Sequence, residues 1–177
     1  MKESTIARYD TLNMRKLLFD FPDQIADAVR IGKLSSVPFR SAGIDNVVVT
    51  GLGGSAIGGD LLRSYLADEM KIPFAVNRHY FLPEYVDKKT LVVVSSYSGN
   101  TEETIAAHAD AARRKARVLC ISSNGETERM AKKFKHAFIR IPKGYPPRAA
   151  LGYSFFPTLV AFSRMKLIPS KEKEIRE

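Results

Sequence analysis

Val47-Val48-Val49-Thr50-Gly51-Leu52-Gly53-Gly54-Ser55-Ala56 and Leu91-Val92-Val93-Val94-Ser95-Ser96-Tyr97-Ser98-Gly99-Asn100-Thr101 share one plan. Each is a β-branched apolar run that turns through glycine and hydroxyl residues into a helical pattern. Runs so continuously apolar suit strands covered on both faces, as in a parallel sheet. Phe74-Ala75-Val76, Val118-Leu119-Cys120-Ile121 and Ala137-Phe138-Ile139 bring the expected strands to five. Helical patterns lie between and around them, at about 13–32, 56–69, 101–115, 126–134 and 151–167. This alternation predicts an α/β fold: a three-layer αβα sandwich on a five-stranded parallel sheet. Asn100 with Glu103 three residues on resembles a capping box, and Glu102 and Glu103 put negative charge where the helix dipole favours it. Pro169 closes the last helix, and a charged tail follows over 169–177. The expectation is one domain over 1–177, with an N-terminal helix near 13–32 and a core at about 44–168.

Composition bounds the function. A chain of 177 residues fits one domain that buries roughly 70% of its unfolded surface. Hydrophobic residues at 45% and charged residues at 27% are globular values and argue against long disorder. The single cysteine, Cys120, has no partner for an internal disulfide and reads as a buried, inert thiol. Met1-Lys2-Glu3-Ser4 leads into no apolar signal region, so a cytoplasmic location is expected. The most apolar stretch, Ala149 to Ser163, has 15 residues without charge and contains Pro157; it is too short to span a bilayer, and no membrane partner is expected.

Lys and Arg total 28 against 19 Asp and Glu, a net +9, and the excess is local: residues 111–148 carry 11 basic and 2 acidic side chains. Nucleic acid is the first ligand this suggests. The basic residues fall on helix ends and turns without interleaved aromatics, however, and no nucleic-acid-binding signature accompanies them. A field that steers an anionic metabolite, or a solvated face, fits better, and no nucleic-acid partner is expected.

The two turns are anion-binding devices, because glycine-turn amides, hydroxyls and helix N-termini converge on a phosphate without spending side-chain charge. Gly51-Leu52-Gly53-Gly54-Ser55-Ala56 satisfies the G-x-G-x-x-A pattern of dinucleotide sites. The second strand nevertheless ends Val76-Asn77-Arg78, without the acid that holds a ribose hydroxyl. Ser96 to Thr101 is similar to the phosphate loop of flavodoxins, but that loop follows the first strand, and this chain has no tryptophan to sandwich a flavin. A P-loop fails for want of G-x-x-x-x-G-K-[ST].

Taken together, Gly-Gly-Ser after the first strand and Ser-x-Ser-Gly-x-Thr after the third resemble the sugar isomerase (SIS) domain, a phosphosugar-binding domain of flavodoxin-like topology. Gly51 to Asp60, Ser95 to Thr104 and Pro146-Pro147-Arg148-Ala149-Ala150-Leu151-Gly152-Tyr153-Ser154 look like the N-terminal half of bifunctional phosphoglucose/phosphomannose isomerases, over about 9–167. The resemblance implies that Gly53, Gly54 and Ser55 lie along the substrate and that Ser96, Ser98 and Thr101 hold the sugar phosphate. It implies that Arg148 stabilises the enediolate of aldose–ketose isomerisation, a role worth about 10²- to 10³-fold in rate. Glucose 6-phosphate, mannose 6-phosphate and fructose 6-phosphate are the implied ligands, with no cofactor and no metal. The plain alternative for Ser98, Asn100 and Thr101 is helix capping, and Ser122-Ser123-Asn124-Gly125 reads as a turn and N-cap.

His79, His108 and His136 read as structural or solvated rather than catalytic. Enzymes of the resembled family carry a proton-shuttling glutamate, a ring-opening histidine and a lysine in or after a second SIS domain, and the chain stops before the positions of all three. After Arg148 the only carboxylates are Glu172, Glu174 and Glu177. The expectation is phosphosugar binding with little isomerase activity in isolation. Three roles stay open: one half of a two-domain isomerase, a stand-alone isomerase assembling sites between subunits, and a non-catalytic phosphosugar sensor. The last helix is apolar nearly all round, which predicts burial of a second side against another domain or a twin subunit.

Overall fold

The structure, a computed structural model, describes residues 8–176. Strands β1 (Asn46–Thr50), β2 (Phe74–Asn77), β3 (Thr90–Ser96), β4 (Arg117–Ser122) and β5 (Ala137–Arg140) form one parallel sheet in the order β2-β1-β3-β4-β5. Val49 lies level with Val76 on one side and Val93 on the other, and Val93 with Leu119. β3 is buried along its whole length, as its apolar run requires at the centre of a doubly covered sheet.

Successive strand residues point to opposite faces, and each face has its own core. Val47, Val49, Leu91, Val93, Leu119 and Ile121 pack with Leu62, Leu159 and Phe162. These last come from α3 (Gly53–Tyr65) and α6 (Leu151–Met165), which share their layer with α2 (Phe21–Leu34). Val48, Val92, Val94, Val118 and Cys120 pack with Ala107, Ala111 and Ala131, from α4 (Glu102–Arg113) and α5 (Gly125–Phe134). The small alanines let α4 approach the sheet closely. The three-layer αβα fold is therefore as the sequence predicts.

Particular elements differ from the expectation. The helix expected near 13–32 is two, α1 (Met14–Phe19) and α2, separated at Asp20 because Pro22 sits in the first turn of α2, where its missing amide costs nothing. The all-round apolar surface of α6 is covered within the chain itself: α2 lies against one side and α3 against another. One row of exposed apolar residues lies on α3 and the turn before it, where Ile57, Leu61 and Tyr65 repeat every fourth position and Leu52 precedes them; others, such as Leu18, Phe19 and Phe81, lie elsewhere. The tail expected over 169–177 forms a short helix, α7 (Glu172–Arg176). Lys171 anchors it, buried and paired with Glu69 and Glu174, and Lys33 reaches Glu172 at 2.7 Å. Among the described residues no helix is long and apolar enough to cross a membrane.

Candidate functional site

The strand order places a topological switch between β1 and β3. The chain leaves β1 through α3 on one face and returns at β2; it leaves β3 through α4 on the opposite face and returns at β4. The two connections diverge at the carboxyl ends of adjacent strands, which opens the crevice where doubly wound sheets bind ligands. Both glycine and hydroxyl turns line this crevice.

In the first turn, Leu52 is extended and Gly53, at φ +52°, already begins α3. The helix thus starts three residues earlier than the sequence pattern indicated, and the glycines are its first turn. Neither the Gly53 nor the Gly54 amide is hydrogen-bonded to another described residue, so both remain donors at a helix N-terminus. The Ser55 hydroxyl accepts the Tyr97 amide at 3.2 Å, which ties the first turn to the second.

In the second turn, Ser96 is buried, Thr101 half-buried and Ser98 exposed. The Ser96 and Thr101 hydroxyls lie 3.3 Å apart, and the Ser96 hydroxyl accepts the Gly99 amide at 3.1 Å. Gly99 has φ +74°, and a Cβ there would stand 1.7 Å from the Asn124 carbonyl oxygen, so only glycine fits. Thr101 is the N-cap of α4 but makes no capping hydrogen bond with its side chain. The amides of Ser98, Thr101 and Glu102 are unpaired among the described residues.

The capping box expected of Asn100 does not form. Its Oδ1 accepts the Glu126 amide of α5 at 2.9 Å, a bond between neighbouring loops that local sequence cannot foretell. Ser122 to Gly125 likewise does more than turn. Ser123 donates its hydroxyl to the Tyr97 carbonyl at 2.7 Å, and the Thr127 amide and hydroxyl reach the Gly99 carbonyl at 2.9 and 3.1 Å. This third turn buttresses the second from behind.

Arg148 lies in a single 3₁₀ turn, Pro147–Ala149, and its exposed guanidinium has no hydrogen-bond or ion-pair partner among the described residues. Its segment is held at both ends. Upstream, Tyr97 Oη accepts the Tyr145 amide at 2.8 Å; downstream, buried Gln24 donates to the Ala149 carbonyl at 2.8 Å and accepts the Gly152 amide at 2.9 Å. Gly54 sits so close beneath Pro147 that a Cβ would be 3.1 Å from its carbonyl oxygen. The Arg148 turn is therefore packed on the first turn. Burial pushes the Tyr97 phenol above its ordinary pKa, so it stays protonated, and its oxygen still accepts from Tyr145. Tyr97 and Gln24 are positioning residues that the sequence reading missed; Tyr97 lay inside the quoted motif, whereas Gln24 joins the site only through the fold.

Gly54, Ser55, Ser95, Tyr97, Pro147 and Ser154 line a narrow gap of about 10 Å³ between the turns, room for a single water. A small-molecule ligand needs roughly 300–1,000 Å³ to be enclosed, so the gap itself encloses none, and a ligand of the turns lies over their outer rim. His79 is exposed in the loop after β2. His108 and His136 meet each other beneath the α4–α5 layer instead of reaching the turns. Much of the basic 111–148 segment is engaged locally: Arg113 and Arg114 hold Asp110, Arg117 reaches the Ala42 carbonyl, Arg129 pairs with Glu126, and Lys132 and Arg140 share Glu128.

Residues 42–163 match the family model described as SIS domain. The chain is 50% identical over 164 residues to the bifunctional phosphoglucose/phosphomannose isomerase of Caldicellulosiruptor bescii, covering 93% of this chain and 48% of that protein. Its counterpart in Thermoplasma volcanium is 38% identical over 143 residues, 81% of this chain and 43% of that protein. The chain spans about half the length of the curated relatives it matches. Among solved structures, a phosphoheptose isomerase from Francisella tularensis shares the fold at a TM-score of 0.55 and 15% identity, covering 94% of this chain and 98% of that one.

Proposed function

The chain belongs to the SIS domain family, and from that premise we propose that its two turns bind a hexose 6-phosphate and that Arg148 serves its isomerisation. The observation that carries this reading is the pairing of the turns at the switch point. Unpaired amides at the starts of α3 and α4 and the Ser96, Ser98 and Thr101 hydroxyls surround one crevice, and the Ser55–Tyr97 bond fixes the turns relative to each other. In this reading Ser96, Ser98, Thr101 and nearby amides take the phosphate, while Gly53, Gly54 and Ser55 lie along the sugar.

The reaction interconverts glucose 6-phosphate or mannose 6-phosphate with fructose 6-phosphate. A proton leaves the carbon next to the carbonyl, an enediolate forms, and the proton returns to the neighbouring carbon. Charge grows on two oxygens, and a fixed, unpaired guanidinium beside them lowers that barrier. Arg148 moves no proton, and among the described residues that line the gap between the turns there is no carboxylate or histidine for general-base work. The proton shuttle is therefore assigned to a second SIS domain. The exposed Leu52, Ile57 and Leu61, on the first turn and the α3 helix that it starts, favour a covering partner on that side.

The test is to mix this chain with one carrying the second SIS domain of a phosphoglucose/phosphomannose isomerase and follow fructose 6-phosphate formation. Turnover by the mixture and by neither chain alone supports the proposal. An inert mixture in which this chain still binds fructose 6-phosphate overturns the isomerase role and leaves a phosphosugar sensor.

A further inference from the structure

Beneath the α4–α5 layer, away from the turns, His108 of α4, Cys120 of β4 and His136, just before β5, converge. Their donor atoms all lie within 4.8 Å of one another. His108 Nε2 is 2.9 Å from His136 Nδ1 and 3.6 Å from Cys120 Sγ. From the shape of this cluster we propose that the three side chains bind one borderline transition-metal ion, zinc foremost, with a solvent molecule as fourth ligand on the His136 side.

Spacing is the first argument. A tetrahedral zinc ion with its usual bond lengths holds a nitrogen and a sulfur ligand about 3.6 Å apart and two nitrogen ligands about 3.3 Å apart. The His108–Cys120 separation already has the first value, and the imidazoles need to part by about 0.4 Å to reach the second. The donor set is the second. Two imidazoles and a thiolate suit zinc, copper or cobalt and not the oxygen-seeking calcium or magnesium.

Proton placement is the third argument. If His108 Nε2 carries a proton it serves His136, and the thiol finds no free lone pair on it. If His136 Nδ1 carries the proton instead, it and the thiol compete for one lone pair on His108. A cation takes a lone pair from all three donors at once. On binding, the thiol releases one proton to solvent and Cys120 coordinates as thiolate. His108 and Cys120 are fully buried while His136 is only half-buried, with the Phe134 ring 5.5 Å away, so entry is from the His136 side.

The test uses the full chain, stripped of metal by a chelator and then given Zn(II) or Co(II). The proposal predicts one ion per chain, a raised melting temperature and a thiolate-to-Co(II) charge-transfer band. His136→Gln, at the half-buried position, keeps the fold and weakens the ion by more than about 100-fold, beyond what loss of an outer-shell partner costs; Cys120→Ser removes the charge-transfer band. No band and no retained zinc in the folded wild-type chain overturns the proposal. So does zinc binding that is unchanged in His136→Gln, which would mark an adventitious surface site.

Discussion

Replacing Gly99 by alanine strikes the point where the second turn meets its buttress. Two costs combine. A non-glycine residue at φ +74° costs about 1 kcal/mol in backbone conformation. The new Cβ must also retreat from 1.7 Å to at least 3.0 Å from the Asn124 carbonyl oxygen, a displacement of about 1.3 Å. A shift of that size breaks the Thr127 amide and hydroxyl bonds to the Gly99 carbonyl and the Glu126 amide bond to Asn100, now at 2.9, 3.1 and 2.9 Å. At about 1 kcal/mol each, these bring the expected loss to about 4 kcal/mol, a large part of ordinary domain stability. Gly53→Ala is the matched control: φ is +52° but nothing lies within 4 Å of the added Cβ, so only the conformational cost of about 1 kcal/mol applies. Urea unfolding of the three chains gives the comparison. Gly99→Ala no more destabilising than Gly53→Ala would refute the reasoning.

Other expectations follow from the same geometry. Arg148→Ala, assayed with the complementing SIS domain, lowers kcat by about 10²- to 10³-fold while changing fructose 6-phosphate affinity little, which kinetics and calorimetry together check. Tyr97→Phe deprives the Tyr145 amide of its acceptor; it costs about 1 kcal/mol in urea unfolding and lowers kcat by loosening the Arg148 segment, with phosphate binding retained. Burial alone would raise the Asp110 carboxyl, but hydrogen bonds from Arg114, Arg113 and the Leu82 amide outweigh it and hold the pKa below 3.8. A depressed folded-state pKa means that Asp110 stabilises the fold fully above its unfolded value of about 3.9 and loses that contribution as pH falls through the lower folded value. Asp110→Asn should therefore be destabilised by about 2 kcal/mol at pH 7 and approach the wild type in stability as acid protonates Asp110 in the folded chain, as parallel unfolding curves would show.

The sheet and both glycine and hydroxyl turns are legible in the sequence because their signals are local. A valine run of the kind at 92–94 has few other uses, and glycine or hydroxyl residues between a strand and a helix restrict the backbone to few courses. What the sequence hides is contact between segments. Asn100 has the spacing of a local cap, yet its oxygen serves α5, a choice made by the approach of Gly99 to Asn124. The apolar circumference of α6 is genuine, but whether α2 and α3 or another chain covers it depends on packing that periodicity does not encode. Gln24 sits in a helix with no motif and joins the site only because that helix packs on α6. His108, Cys120 and His136 are isolated in sequence and meet only because α4, β4 and β5 are neighbours.

The most direct test of the phosphosugar cradle is titration calorimetry of the chain with fructose 6-phosphate and with fructose, repeated on the Ser98→Ala, Thr101→Val double variant. The cradle predicts binding that requires the phosphate and weakens by about 100-fold in the variant, equivalent to losing two charge-assisted hydrogen bonds. Equal affinity for fructose and fructose 6-phosphate, or an affinity unchanged by the double substitution, would contradict it.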